Sequence, residues 1–397
     1  MKISSSQILN TYISYNFVEA KAKGKPLIKL PEKIRRTLER IVAEFRVKEN
    51  IYGIGLFGSW SRGDAASSSD VDLFFLDKSS IPDEYVERME VNGLFIDLDH
   101  VPKKWIHGPI PPEIDPKLYE MQILYDRDWS LTNTKILMTK SYASPERVDI
   151  RIETHIVDAD IYLSRATSAF SREDFRSALL FASLALENIL KVLVEIALQP
   201  LSNSRFLENL EASATKLGME SLFKEFMEET RLKEANGEKV KEKLRLFKNI
   251  WDEMQATTRQ NMQTLDSIHF KVKAKLNYYL NPAFLQGAIM RTNSLIETEK
   301  FSEASHYLKD ILLSTIENYV WLKSTIEKVK IDYTTLMRSL EKLEEKNPKN
   351  YERIINFLNL NNIDKSNANH IINKTREVIF KIRKNRKVLI KNHLIKT

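Results

Sequence analysis

The sequence predicts an α+β protein: a small mixed-sheet domain in the first 140 residues, then a large all-α helical-bundle region with signs of an internal duplication. Three observations carry this. Short apolar runs broken by Gly-Ser and Asn-Gly turns fill residues 51–128, as strands do. From about Pro145 glycine becomes rare and a 3.6-residue apolar period runs on to the C-terminus. The connections in that second region are short and polar, as between antiparallel helices.

Taken in order, residues 5–22 have helical spacing (Ile8, Leu9, Tyr12, Tyr15, Val18), which predicts an N-terminal helical segment over 1–30. Lys23-Gly24-Lys25-Pro26 reads as a break. Pro31 opens an amphipathic helix with Ile34, Leu38, Ile41, Val42 and Phe45 on one stripe. It leads into a strand at Ile51–Phe57, which ends in Gly58-Ser59. A loop rich in Ser, Gly and Asp follows, and a second strand opens with Asp70-Val71-Asp72.

Strand alternation puts Asp70 and Asp72 on one face, and two close carboxylates repel unless cations intervene. A hard divalent ion such as magnesium answers that need. Gly58 and Ser59 offer backbone N–H groups and a hydroxyl to an anion, and Arg62 adds a fork suited to phosphate oxygens. Phosphate donors beside a carboxylate pair describe a metal-dependent phosphoryl or nucleotidyl transfer site.

Residues 85–91 and 94–101 alternate around Asn92-Gly93, which predicts a hairpin with a two-residue turn. That register pairs Val91 with Leu94, Met89 with Ile96 and Glu87 with Leu98 on the mostly apolar face. It pairs Glu90 with Phe95, Arg88 with Asp97 and Val86 with Asp99 on the other. His100 falls on the apolar face, as a structural residue. Residues 121–128 read as a last strand and turn that close the small domain.

The stretch GSWSRGDAASSSDVDLFF resembles the signature of the polymerase beta-type nucleotidyltransferase superfamily, in its minimal and kanamycin nucleotidyltransferase-like branch. The resemblance spans about Ile51 to Trp129. It implies two Mg2+ ions and transfer of a nucleoside monophosphate from an NTP to a hydroxyl, with release of pyrophosphate. It also implies a third metal-binding carboxylate on a neighbouring strand. Asp97-Leu98-Asp99-His100-Val101-Pro102 is similar to that pattern, with Asp97 in the catalytic place and Asp99 its rival. The expected site is thus Asp70, Asp72 and Asp97 as catalytic metal ligands, with Gly58, Ser59 and Arg62 on the nucleotide. Antibiotic-modifying relatives use a helical-domain Glu as base, and Glu187 is the candidate here.

Helices are expected over 147–170, 172–198, 205–230, 237–262, 283–298, 300–328, 332–345, 349–358 and 366–391. Arg165, Ser168, Glu173, Phe175, Ala178 and Phe181 recur 126 residues later as Arg291, Ser294, Glu299, Phe301, Ala304 and Tyr307. This offset predicts two bundles, 141–275 and 276–397, after a catalytic domain over 31–140. The passage Ser171-Arg172-Glu173-Asp174-Phe175 into Ala178 resembles helical domains of HEPN and kanamycin nucleotidyltransferase type.

Cysteine is absent from the 397 residues, which excludes disulfides and thiolate metal sites. Met1–Asn16 is polar, without the apolar core of a signal peptide, and no apolar run is expected to approach the length of a membrane span. A soluble, cytoplasmic protein without a membrane partner is expected. The net charge of +7 is uneven. Lys374 to the end holds nine Lys or Arg against Glu377, so the remainder is near neutral. A basic end of this kind is a footprint for RNA, the favoured acceptor at this stage; a small hydroxylated molecule, a protein side chain or a non-catalytic binding module are the alternatives.

Overall fold

The computed structural model describes residues 30–395, so the helix expected over 5–22 lies outside the described residues. The chain forms two compact units. One comprises the described residues through Ile110 with Lys117–Thr139; the other comprises Pro111–Pro116 and the chain from Lys140 onward.

The first unit is a five-stranded mixed sheet. Helix α1 (Glu32–Phe45) begins after Pro31 and leads into β1 (Ile51–Phe57). A one-turn helix, α2 (Gly58–Arg62), ends on left-handed Gly63. Then come β2 (Val71–Asp77), β3 (Tyr85–Val91), β4 (Leu94–Pro102), the short α3 (Asp115–Glu120), whose first two residues belong to the other unit, and β5 (Gln122–Asp126). The strand order is β3-β4-β2-β1-β5, with β2 and β4 parallel and the other neighbours antiparallel. Every residue of the α1 stripe is buried, against Ile54, Leu56, Leu73, Phe75, Ile96 and Leu98 on one sheet face. The β3–β4 hairpin has the register its Asn-Gly turn predicts, Arg88 opposite Asp97 and Val86 opposite Asp99. Asn92 and Gly93 both have positive φ, as a type I′ turn demands. His100 is indeed in the apolar layer, stacked between Phe75 and Tyr85 with Nδ1 3.1 Å from Asp77.

The second unit is helical. After α4 (Ser130–Ser141), which bridges the unit boundary in sequence, come α5 (Pro145–Ser171), α6 (Phe175–Ile196), α7 (Phe206–Lys216), α8 (Glu220–Glu229) and α9 (Gly237–Gln260). Then follow α10 (Met262–Ser267), α11 (Phe270–Tyr279), α12 (Pro282–Glu297), α13 (Phe301–Glu327), α14 (Leu336–Leu343), α15 (Pro348–Phe357) and α16 (Lys365–Leu394). Two corrections to the sequence reading stand out. The helix expected over 205–230 breaks at Gly218, whose φ is +66°. Residues 262–279 hold two short helices that the periodicity did not reveal.

One hydrophobic cluster runs from Val148 to Ile390, so the halves expected on either side of residue 275 share a core. The two copies of the repeat do share a joint. Glu173 and Glu299 both have positive φ, with matching hydrogen bonds from Asp174 N–H to Ala169 and from Lys300 N–H to Leu295. Arg165 lies over the Phe181 ring and Arg291 over the Tyr307 ring. Contrary to the expectation that no apolar run reaches membrane-span length, α6 is long and apolar enough; 83% of its most apolar window is buried inside the unit, as in a core helix.

Candidate functional site

The sheet's second face carries the acids. Backbone pairing runs Phe57–Asp72–Asp97–Arg88 across β1, β2, β4 and β3, one row over four strands. Gly58 continues the row's end into α2. The next row inward is Gly55–Phe74–Asp99–Val86. Register alone therefore separates the two aspartates of β4: Asp97 shares a row with Asp72, and Asp99 does not.

Side chains sharpen the separation. Arg88 is buried and donates Nε to Asp97 Oδ1 at 2.6 Å and Nη2 to Asp97 Oδ2 at 2.7 Å. The same Nη2 also meets Asp70 Oδ2, so one guanidinium joins a buried carboxylate of β4 to another just before β2. Asp99 pairs with Lys117, which also holds Glu84 at 2.5 Å. Burial pushes the Asp99 carboxyl up to about 7, against the pull of Lys117. Asp70 and Asp97 are thus brought together through Arg88, with Asp72 in the adjoining position, half-buried. Among the described residues no group of three His, Cys, Asp or Glu side chains is placed as a metal site. The cation between Asp70 and Asp97 in this structure is the Arg88 guanidinium.

The donors sit beside this row. Gly58 has φ +73°, and a Cβ there would come within 2.2 Å of Asp72 Oδ2. Only glycine lets β1 turn so close to that carboxylate. The Gly58 N–H, however, donates to Glu120 Oε1 at 2.7 Å, and Arg62 Nη1 donates to Glu120 Oε2 at 2.8 Å. Arg62 Nε also lies 3.3 Å from Asp64. Ser59 is half-buried, and its carbonyl accepts from the Gly63 and Asp64 N–H groups.

Glu120 has no sequence motif. The signal that reveals it is β5's pairing on β1, Leu56 opposite Gln122, which carries Glu120 alongside Gly58. The acids of this row offer carboxylate oxygens, the donor type that a hard divalent ion prefers. Glu187 is buried in the helical unit, between His306 (3.2 Å) and Lys191 (3.3 Å). Burial raises its pKa, but Lys191 and His306 outweigh that and hold the carboxyl well below the usual range.

Residues 35–109 match the nucleotidyltransferase domain family. A protein of Methanocaldococcus jannaschii named "Putative protein adenylyltransferase" is 34% identical over 92 residues, 21% of this chain and 86% of that protein. A nucleotidyltransferase-like protein of known structure from Exiguobacterium sibiricum aligns over 82% of this chain and 90% of its own, at 12% identity. Its TM-score is 0.30, too low to carry an argument. The segment matched by the family holds the Gly58 turn and the Asp72–Asp97 row, and by these likenesses the chain belongs to the nucleotidyltransferase family.

Proposed function

We propose that this nucleotidyltransferase moves AMP from ATP to a hydroxyl on a protein, in a divalent-metal-dependent reaction. The observation that carries the chemistry is the row Asp72–Asp97–Arg88, with Asp70 on the same arginine and the Gly58 turn alongside. Asp70, Asp72 and Asp97 would hold Mg2+. When bound, the ion lowers the pKa of an attacking hydroxyl and offsets charge on the transferring phosphate. The Gly58 N–H, the Ser59 hydroxyl and Arg62 would hold the β- and γ-phosphates. The acceptor oxygen then bonds to the α-phosphorus in line with the departing oxygen; the α–β bond breaks and pyrophosphate leaves. Donors fixed on a turn stabilise that departing charge without reorganising.

The name of the M. jannaschii relative supports ATP as donor and a protein as acceptor. RNA remains the second reading, supported by α16. There Lys381, Lys384, Lys387 and Lys391 are exposed, while Val378, Ile379, Ile382 and Ile390 are buried. Ion pairing tempers it: Arg383 meets Asp160, Arg386 meets Glu153, and Lys374 is 3.1 Å from Glu225. The deciding experiment incubates the full chain and Mg2+ with each α-labelled NTP, protein substrates and RNA. Label from ATP on a nuclease-resistant protein band supports the first reading. Nuclease-sensitive label supports the second, and no transfer from any NTP sinks both.

A further inference from the structure

We propose that Glu120 is a built-in occupant of the triphosphate site, and that nucleotide binds by taking its place. The inference rests on the reading of Gly58 and Arg62 as phosphate donors. A carboxylate and a phosphate present the same thing to such donors, two anionic oxygens a little over 2 Å apart on one centre. Glu120 uses both of its oxygens in this way, one on the Gly58 N–H (2.7 Å) and one on Arg62 (2.8 Å). Its placement is built rather than incidental. The Glu120 carbonyl accepts the buried Ser61 hydroxyl at 2.5 Å, and Gln122 Nε2 donates to the Ser61 carbonyl at 3.0 Å. The Glu120 carbonyl and the Gln122 side chain are thus fastened to α2, while the Glu120 side chain reaches the donors from the last turn of α3.

Two effects follow. The donors stay aligned when nucleotide is absent, since Glu120 accepts from the half-buried Gly58 N–H and from Arg62. Any phosphate entering must also displace an anion already paired with Arg62, which weakens ground-state binding. Glu120 is thereby a positioning residue that sets nucleotide affinity without touching the reacting atoms.

The test is equilibrium binding of ATP, inorganic pyrophosphate and adenosine to the full chain and to Glu120→Gln, with Mg2+. Glutamine keeps the length and one acceptor but loses the charge, so ATP and pyrophosphate should each bind about tenfold more tightly. Adenosine, which has no phosphate, should be unaffected. Should Glu120→Gln fail to fold, Glu120→Asp draws the carboxylate back by one methylene and should move affinity the same way. ATP binding that these variants leave unchanged or weaken overturns the displacement and leaves the transferase reading standing. Failure of wild type and variants alike to bind ATP or pyrophosphate overturns both.

Discussion

In the sheet unit one buried guanidinium, Arg88, serves two carboxylates, Asp70 and Asp97. In the helical unit one buried guanidinium, Arg151, likewise meets two carboxylates, Asp115 and Glu195, but each of these acids also has a second cation. Asp115 meets Arg147 and Arg151, and Glu195 meets Arg151 (2.8 Å) and His155 (3.7 Å). Both are buried charge networks, yet the backbones beneath them differ. The helical network hangs on regular helices and lends a carboxylate to each cation. The sheet network lies beside a positive-φ glycine whose missing Cβ lets the Asp72 carboxylate lie against the turn. Burial of charge and a shared guanidinium are thus common to both networks; what the sheet network adds is the glycine turn beside it.

The hardest blow to that contrast is aimed at the acids. Asp72→Asn, Asp70→Asn and Asp97→Asn should each lower pyrophosphate release by at least about 100-fold, while circular dichroism is unchanged. Asp99→Asn, on the row held by Lys117, should stay within about tenfold. Steady-state turnover with the reverse ranking of Asp97 and Asp99 would show that the row is not the reacting one.

Arg88→Met tests whether the guanidinium stands in for a cation. Two buried carboxylates left without it should cost about 3–5 kcal/mol of stability, read by urea unfolding. Mg2+ should then raise the melting temperature of Arg88→Met more than that of the wild type, by mass action on the folded state. Equal shifts would mean that the acids do not take the ion. Arg151→Met in the helical unit should lose a similar amount with no rescue by Mg2+.

A smaller effect comes from pH in the helical unit. Burial lowers the His306 pKa, but Glu187 more than offsets this and raises it; Lys191, Lys309 and Asp310 are the other charges around the pair. A raised histidine contributes stability below its unfolded value of about 6.5 and loses it as pH rises through the folded value. Glu187, held low, contributes above about 4.3 and loses its share as pH falls below that. The pair therefore stabilises most between these limits. From pH 6 to pH 8 wild type should lose more stability than His306→Gln. Parallel urea profiles for the two proteins would remove His306 from the account.

Much of this was legible in the sequence, for identifiable reasons. The hairpin register followed from Asn92-Gly93, because a two-residue turn admits one pairing and so sets Arg88 opposite Asp97. The α1 stripe and most long helices followed from apolar period. The parallel register of Asp72 with Asp97 did not, since no local turn joins β2 and β4. Nor did Glu120, which approaches Gly58 only through a strand pairing across more than 60 residues. The α10 and α11 helices are too short for a period to declare itself, and Gly218 broke a helix that composition alone extended.

The smallest effect concerns α16, and it separates the two acceptor readings. Removing the helix would be a poor test, because Thr375 is buried and donates to the Ala182 carbonyl, and Val378, Ile379 and Ile382 lie in the core. Replacing Lys381, Lys384, Lys387 and Lys391 by Gln leaves that core untouched. Spaced i, i+3, i+6 and i+10, these lysines fall within about 120° of one helix face. If they meet RNA, each phosphate contact contributes about 0.7 to the log–log salt slope on a single strand. The quadruple variant should then flatten the slope by about 3 in a fluorescence-anisotropy titration, with stability changed by less than about 0.5 kcal/mol. An unchanged slope, or no binding at low salt, leaves the lysines as solvated surface and the protein hydroxyl as acceptor.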